Sequence, residues 1–161
     1  MEKFQEDREK ALKNIKIADH IISVTYPLVQ DPKLLLVVMD NIFFAFNNTM
    51  TSILNYERTF KRIPEFGESF EIKVNMFKTK VMPKYNINQE YLKTILELKE
   101  IIKEHKESPV EFSRKDKFVI CSDSYKMRTL SIGEIKRYIS KAKLFIEEAN
   151  HITSKNEGIF R

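Results

Sequence analysis

Glycine is scarce in this 161-residue chain, tryptophan is absent and there is one cysteine. Three glycines leave little material for a phosphate-cradling loop, and neither G-x-G-x-x-G nor G-K-[ST] occurs, which sets aside nucleotide binding by those loops. The lone Cys121 excludes an intramolecular disulfide and a cysteine-based zinc finger. It lies in an apolar, strand-like run, where a thiol belongs to the core rather than to catalysis. The three histidines, His20, His105 and His151, are far apart, and no H-x-x-x-H or H-E-x-x-H string joins them. A di-iron carboxylate bundle needs a pair of E-x-x-H motifs, which the chain does not supply. No metal or cofactor is expected. Long apolar runs are also missing: the longest, Leu34 to Met39, stops at Asp40, far short of the ~20 residues of a membrane span. The charged N-terminus reads as helix rather than signal peptide, so a soluble, cytoplasmic protein without membrane contact is expected.

What is present is helical periodicity. With 42% hydrophobic residues the chain is globular, and its length suits one domain, 1–153, followed by a flexible tail at 154–161. Abundant Lys, Glu and Ile with few Gly is the composition of a thermophile or an AT-rich genome, similar in style to small archaeal proteins. Apolar residues at three- and four-residue steps predict helices over about 3–26, 33–62, 66–82 (the weakest), 89–106 with Asn88 as its cap, and from Ser131 to about 152. Ser131-Ile-Gly-Glu134 is a capping-box signature. Pro27 and Pro32 bracket a linker, and Pro64, Pro83 and Pro109 each close a segment. Between Pro109 and Leu130 the period changes: Lys117–Cys121 is β-branched and apolar, Tyr125–Thr129 alternates, and Ser122-Asp123-Ser124 is turn chemistry. Val110 to Ser113 is a candidate for one more extended piece. The expected fold is all-α, an antiparallel bundle of four long helices plus one short helix, with a small β-hairpin at about 117–129 before the last helix.

The second helix carries the most informative pattern. Leu35, Leu36, Met39, Ile42, Phe43, Phe46, Met50, Ile53, Leu54 and Phe60 form a wide apolar face. The opposite arc holds Asp40, Asn41, Asn47, Asn48, Thr51, Ser52, Asn55, Arg58 and Arg62, with Phe44 in its middle. A solvated face in a chain this rich in Lys and Glu would carry long charges. Short amides and hydroxyls suit a face that is hydrogen-bonded to another protein surface. That surface is either another helix of the same bundle or a second subunit. Under the second reading Asp40, Phe44, Asn47, Asn48 and Thr51 lie at a subunit or partner interface.

The charge of +5 permits a polyanionic partner without requiring one. Arg58, Lys61 and Arg62 close the second helix, where cations also complement the helix dipole. They and Lys136 and Arg137 are the candidate anion or nucleic-acid contacts. Two stretches are locally basic: Lys73, Lys78, Lys80 and Lys84, and then Lys126, Arg128, Lys136, Arg137, Lys141 and Lys143. No aromatic platform accompanies either.

The string Ala11-Leu12-x-x-Ile15-x-x-Ala18, followed by the long helix from Leu34 to Arg58, resembles the opening hairpin of the HEPN superfamily of helical bundles. The likeness covers the first third of the chain. It implies a homodimer and a role in RNA cleavage or as partner of a nucleotidyltransferase. Nuclease members of that superfamily carry an arginine, four to six residues, and then a histidine, and no histidine here is so preceded. The resemblance therefore implies a non-enzymatic, homodimeric interaction module with a protein or RNA partner. Two alternatives remain: a nucleic-acid-binding accessory protein using the basic stretches, and a ribonuclease with an atypical site built from Glu57, Arg58, Arg62 and His20.

Overall fold

Helical spacing places Phe4, Ala11, Ile15, Ala18 and Ile22 on one face, and all five are buried. In the computed structural model they line helix α1 (Lys3–His20) and the segment that continues it. The structure describes the backbone of residues 1–107, 110–114, 117–121 and 127–155, and the side chains of 1–105 and 130–155. The further helices are α2 (Tyr26–Val29), α3 (Pro32–Thr59), α4 (Phe70–Met76), α5 (Met82–Tyr85), α6 (Gln89–Glu107) and α7 (Ile132–Thr153). The chain is mostly helical and its class is all-α.

Two prolines behave differently from expectation. Pro27 and Pro83, which the sequence reads as segment ends, both lie inside helical runs. A proline ring in an α-helix collides with the carbonyl four residues back and offers no N–H. Here a widened π turn precedes each one, Ile21–Thr25 before Pro27 and Phe77–Val81 before Pro83. The N–H of Tyr26 bonds to the carbonyl of Ile21, and that of Met82 to Phe77, a five-residue reach that makes room for the ring. The runs then stop at left-handed residues, Gln30 (φ 55°) and Asn86 (φ 51°). The first helical run thus reaches Val29 and the third reaches Tyr85.

The other ends follow side-chain chemistry. Asp31 accepts from the Lys33 amide at 3.0 Å to start α3, and Asn88 accepts from Glu90 at 2.9 Å to start α6. The third run begins only at Phe70, where Ser69 caps it, later than the expected 66. Ser131 Oγ accepts from the Glu134 amide at 3.1 Å and opens α7. We expect Ser131→Ala to lower stability by about 1 kcal/mol, since it orphans that amide. A urea midpoint equal to wild type would show that α7 does not depend on this cap.

Between α6 and α7 lie β1 (Val110–Arg114), β2 (Lys117–Cys121) and β3 (Met127–Ser131), antiparallel in the order β1-β2-β3. Val110 pairs with Cys121 and Cys121 with Met127. Among the described residues the sheet has three strands, with β1 covering the candidate extended piece at Val110 to Ser113. The expected turn, Ser122 to Ser124, lies outside the described residues, as do 156–161 of the tail.

Hydrogen bonds give the helix directions. Asp7 meets Asn55 while Asn14 meets Asn48 and Asn41, so α1 and α3 run in opposite senses. Arg8 reaches Thr153 and Asp19 reaches Lys143, so α1 and α7 also oppose. Tyr138 donates to Glu97 and Lys141 approaches Glu90, which sets α6 against α7. At the centre Phe145 stacks on Tyr91 (4.8 Å between centroids) and touches Phe46 (5.9 Å) and Phe77 (6.0 Å). α3 is long and apolar enough by length and composition to cross a membrane, although its longest uninterrupted apolar run is short; half of its most apolar window is buried inside this fold.

Two candidate surfaces on the core helix

The polar arc of α3 divides in two. Asn41, Asn48 and Asn55 are seven residues apart, and so are Asp7 and Asn14 on α1. On facing antiparallel helices these spacings coincide. Asn55 Nδ2 donates to Asp7 Oδ2 at 2.6 Å, Asn48 Nδ2 to Asn14 Oδ1 at 2.9 Å, and Asn14 Nδ2 to Asn41 Oδ1 at 3.3 Å. Asp7 and Asn55 are buried. Burial pushes the Asp7 carboxyl above its usual range, and the Asn55 bond with the charges of Lys10, Lys3 and Lys73 pulls part of that back.

Among the five proposed interface residues, Asn48 is half-buried in this ladder, and Thr51 is buried with its hydroxyl bonded to the Asn47 carbonyl. Both of these bonds lie within one chain. Asp40 and Asn47 are half-buried, and the buried Oδ1 of Asn47 has no hydrogen-bond partner. Phe44 is 49% exposed. One turn from Asn14 and Asn41 respectively stand Ile17 and Val37, both exposed. Helical geometry puts these beside the ladder, with half-buried Asp40 one turn from Phe44.

A second cluster closes α3. Glu57 is buried, its side chain 1% exposed. It accepts Lys84 Nζ at 2.8 Å, Arg62 Nη1 at 3.4 Å and the Tyr85 hydroxyl. Arg62 lies over the rings of Phe60 (5.0 Å) and Tyr56 (5.6 Å). Burial and the neighbouring Glu57 carboxylate push the Tyr85 phenol far above its usual range, so it keeps its proton. The π turn and Pro83 carry Lys84 and Tyr85 to this point. Arg58 pairs with exposed Glu65 at 3.2 Å. Arg58, Lys61, Arg62, Ile63, Pro64 and Glu65 line a shallow cleft of about 480 Å³.

Several expected groupings do not form. His20 is thirteen residues beyond Asp7, which is level with Asn55, so about 20 Å of helix separates it from Glu57, Arg58 and Arg62. Lys136 and Arg137 open α7, whereas the Glu57 cluster lies near the other end, where Lys155 approaches the Tyr85 ring at 6.0 Å. About 25 Å divides the two sets of candidate anion contacts. Glu148-Ala-Asn-His151 is a single E-x-x-H string, and among the described residues no group of three or more His, Cys, Asp or Glu can hold a metal.

The sequence does not mark Asp7, Asn14 or Tyr85, and it places Lys84 only in a locally basic stretch. The seven-residue spacing shared by α1 and α3 was a usable signal for the first two; no local signal tied residues 84 and 85 to Glu57. No family model, curated protein or solved structure matches the chain.

Proposed function

We propose that this chain is a non-enzymatic, HEPN-like interaction module, an antiparallel bundle of four long helices and a shorter one with its strands inserted before the last, that works as a homodimer. The subunit surface is the α1–α3 face, and the module serves a protein or RNA partner. The observation that carries the reading is Phe44, half exposed on the core helix, flanked by Val37 and Ile17 and by neutral Asn14, Asn41 and Asn48. A two-fold contact meets itself, and a surface of aliphatic, aromatic and amide groups is self-complementary, because an amide both donates and accepts. The remoteness of His20 from Glu57 and the two arginines speaks against the ribonuclease alternative.

Light scattering of the full chain tests this. Wild type is expected at twice the chain mass at micromolar concentration. Phe44→Glu with Val37→Glu places like charges across the axis without touching the ladder, and is expected to give a folded monomer by circular dichroism. A monomeric wild type, or a folded variant that keeps the dimer mass, overturns the reading.

A further inference from the structure

We propose that the corner formed by the end of α3, the turn at 60–65 and the end of α5 binds a phosphate-bearing ligand. Three observations carry this. First, buried Glu57 holds Arg62 and Lys84 in place, yet both cations remain at the surface, their side chains 37% and 42% exposed. A buried carboxylate that anchors cations while leaving them open to solvent presents positive charge in a fixed geometry. Arg62 is fixed further by the faces of Phe60 and Tyr56. A guanidinium held flat in this way is pre-organised for the paired oxygens of a phosphate.

Second, the charge here exceeds what the helix end needs. One or two cations satisfy the dipole at a C-terminus. Arg58, Lys61, Arg62, Lys84 and Lys155 gather here against the carboxylates of Glu57 and Glu65. Three of these cations, Arg58, Lys61 and Arg62, line the shallow cleft together with Glu65.

Third, Lys61 sits in a conformation that disfavours it. The Arg62 amide donates to the Glu57 carbonyl and the Lys61 amide to the Arg58 carbonyl, both at 2.9 Å, which is the Schellman closure of a helix. Its left-handed residue is usually glycine; here it is Lys61, with φ 58°. The chain keeps a long cation where backbone comfort calls for none. Glu57 is then a positioning residue, and Lys61, Arg58, Arg62 and Lys84 contact the ligand.

This site is separate from the α1–α3 face, so Phe44→Glu should retain binding whatever its mass. The probes are inorganic pyrophosphate, by calorimetry, and a labelled short oligouridylate, by anisotropy at low salt. Lys61→Gly is the informative variant, because comfort and function pull apart. It should raise the thermal midpoint by about 2 °C while weakening binding roughly tenfold. Arg58→Glu should weaken binding similarly, and for the oligonucleotide each lost cation should reduce the salt slope by roughly 0.7. Lys136→Glu with Arg137→Glu, at the far end, should change nothing. Binding of both probes supports a small phosphate ligand, and binding of oligouridylate alone supports a nucleic-acid backbone. No binding of either probe at millimolar concentration overturns the proposal. So does binding that survives Lys61→Gly and Arg58→Glu, or that depends on Lys136 and Arg137.

Discussion

Phe145→Ala should cost about 4 kcal/mol of folding stability, the middle of the range for a buried aromatic. The ring is fully buried and meets Phe46 of α3, Phe77 of the π turn after α4, and Tyr91 of α6. Truncation removes the transfer free energy of the ring and leaves a cavity whose walls are three other aromatics, too stiff to collapse into it. The same change also removes several ring-on-ring contacts. Against a total of roughly 5–15 kcal/mol for a domain, this is a large fraction. Urea unfolding measures it, with the midpoint falling and the slope unchanged. Leu144→Ala is the comparison, since a side chain 55% exposed and outside the proposed subunit face should cost only about 0.5 kcal/mol. A Phe145→Ala loss as small as that would mean α4, α6 and α7 are not joined through this ring.

Asn55→Ala should cost about 2–3 kcal/mol at neutral pH. Asn55 gives Asp7 a 2.6 Å donor in a buried site, and alanine leaves the carboxylate without it. The loss should depend on pH with a definite sign. The Asp7 carboxyl is raised above 3.8 by burial, partly countered by the Asn55 bond. A group raised in the folded state contributes most below its unfolded value and loses that contribution as pH rises through its folded value. Without Asn55 the folded value climbs further. The deficit of Asn55→Ala should therefore shrink as pH falls through the folded-state values, which lie above 3.8, and be smallest below 3.8, where Asp7 is protonated folded and unfolded. Asp7→Asn should flatten the dependence, because an amide does not ionise. Stability curves of the two variants against wild type check this, and a deficit that is constant between neutral and acidic pH would exclude Asp7 as its cause.

Most of the helices were legible because burial imposes the three- and four-residue spacing directly on the chain. The strands' location was legible from a change of period, but their number was not, since Val110–Arg114 alternates too briefly to count as more than a candidate. The polar arc of α3 was visible, but its partner was not. Asp7 and Asn14 sit among the lysines and glutamates of α1 and look like solvent residues. Only the matched seven-residue spacing links them to Asn41, Asn48 and Asn55. The prolines misled for a physical reason: proline ends α-helices unless the preceding turn widens, and a π turn leaves no residue-type signature. Gln30 and Asn86, three residues after each proline, mark the true stops. Glu57 read as one charge among several in a last turn; its burial comes from Tyr85 and Lys84, more than a turn of chain away in any local window.

A π turn is an α-helix holding one residue too many, and this gives Phe77–Val81 a genetic meaning. Most residues of a surface helix can be exchanged singly without moving their neighbours. Removing one residue from this stretch would be different. It would return the turn to the ordinary pitch, and because five residues at π spacing and four at α spacing sweep nearly the same angle, the residues downstream would keep their phase while the Pro83 ring met the carbonyl four residues back. That clash would fall on the turn that carries Lys84 and Tyr85 to Glu57. The corner is thus encoded by reading length as much as by residue identity. Lineages of this chain should tolerate substitutions at Lys78 or Thr79 far more readily than a one-codon deletion between them.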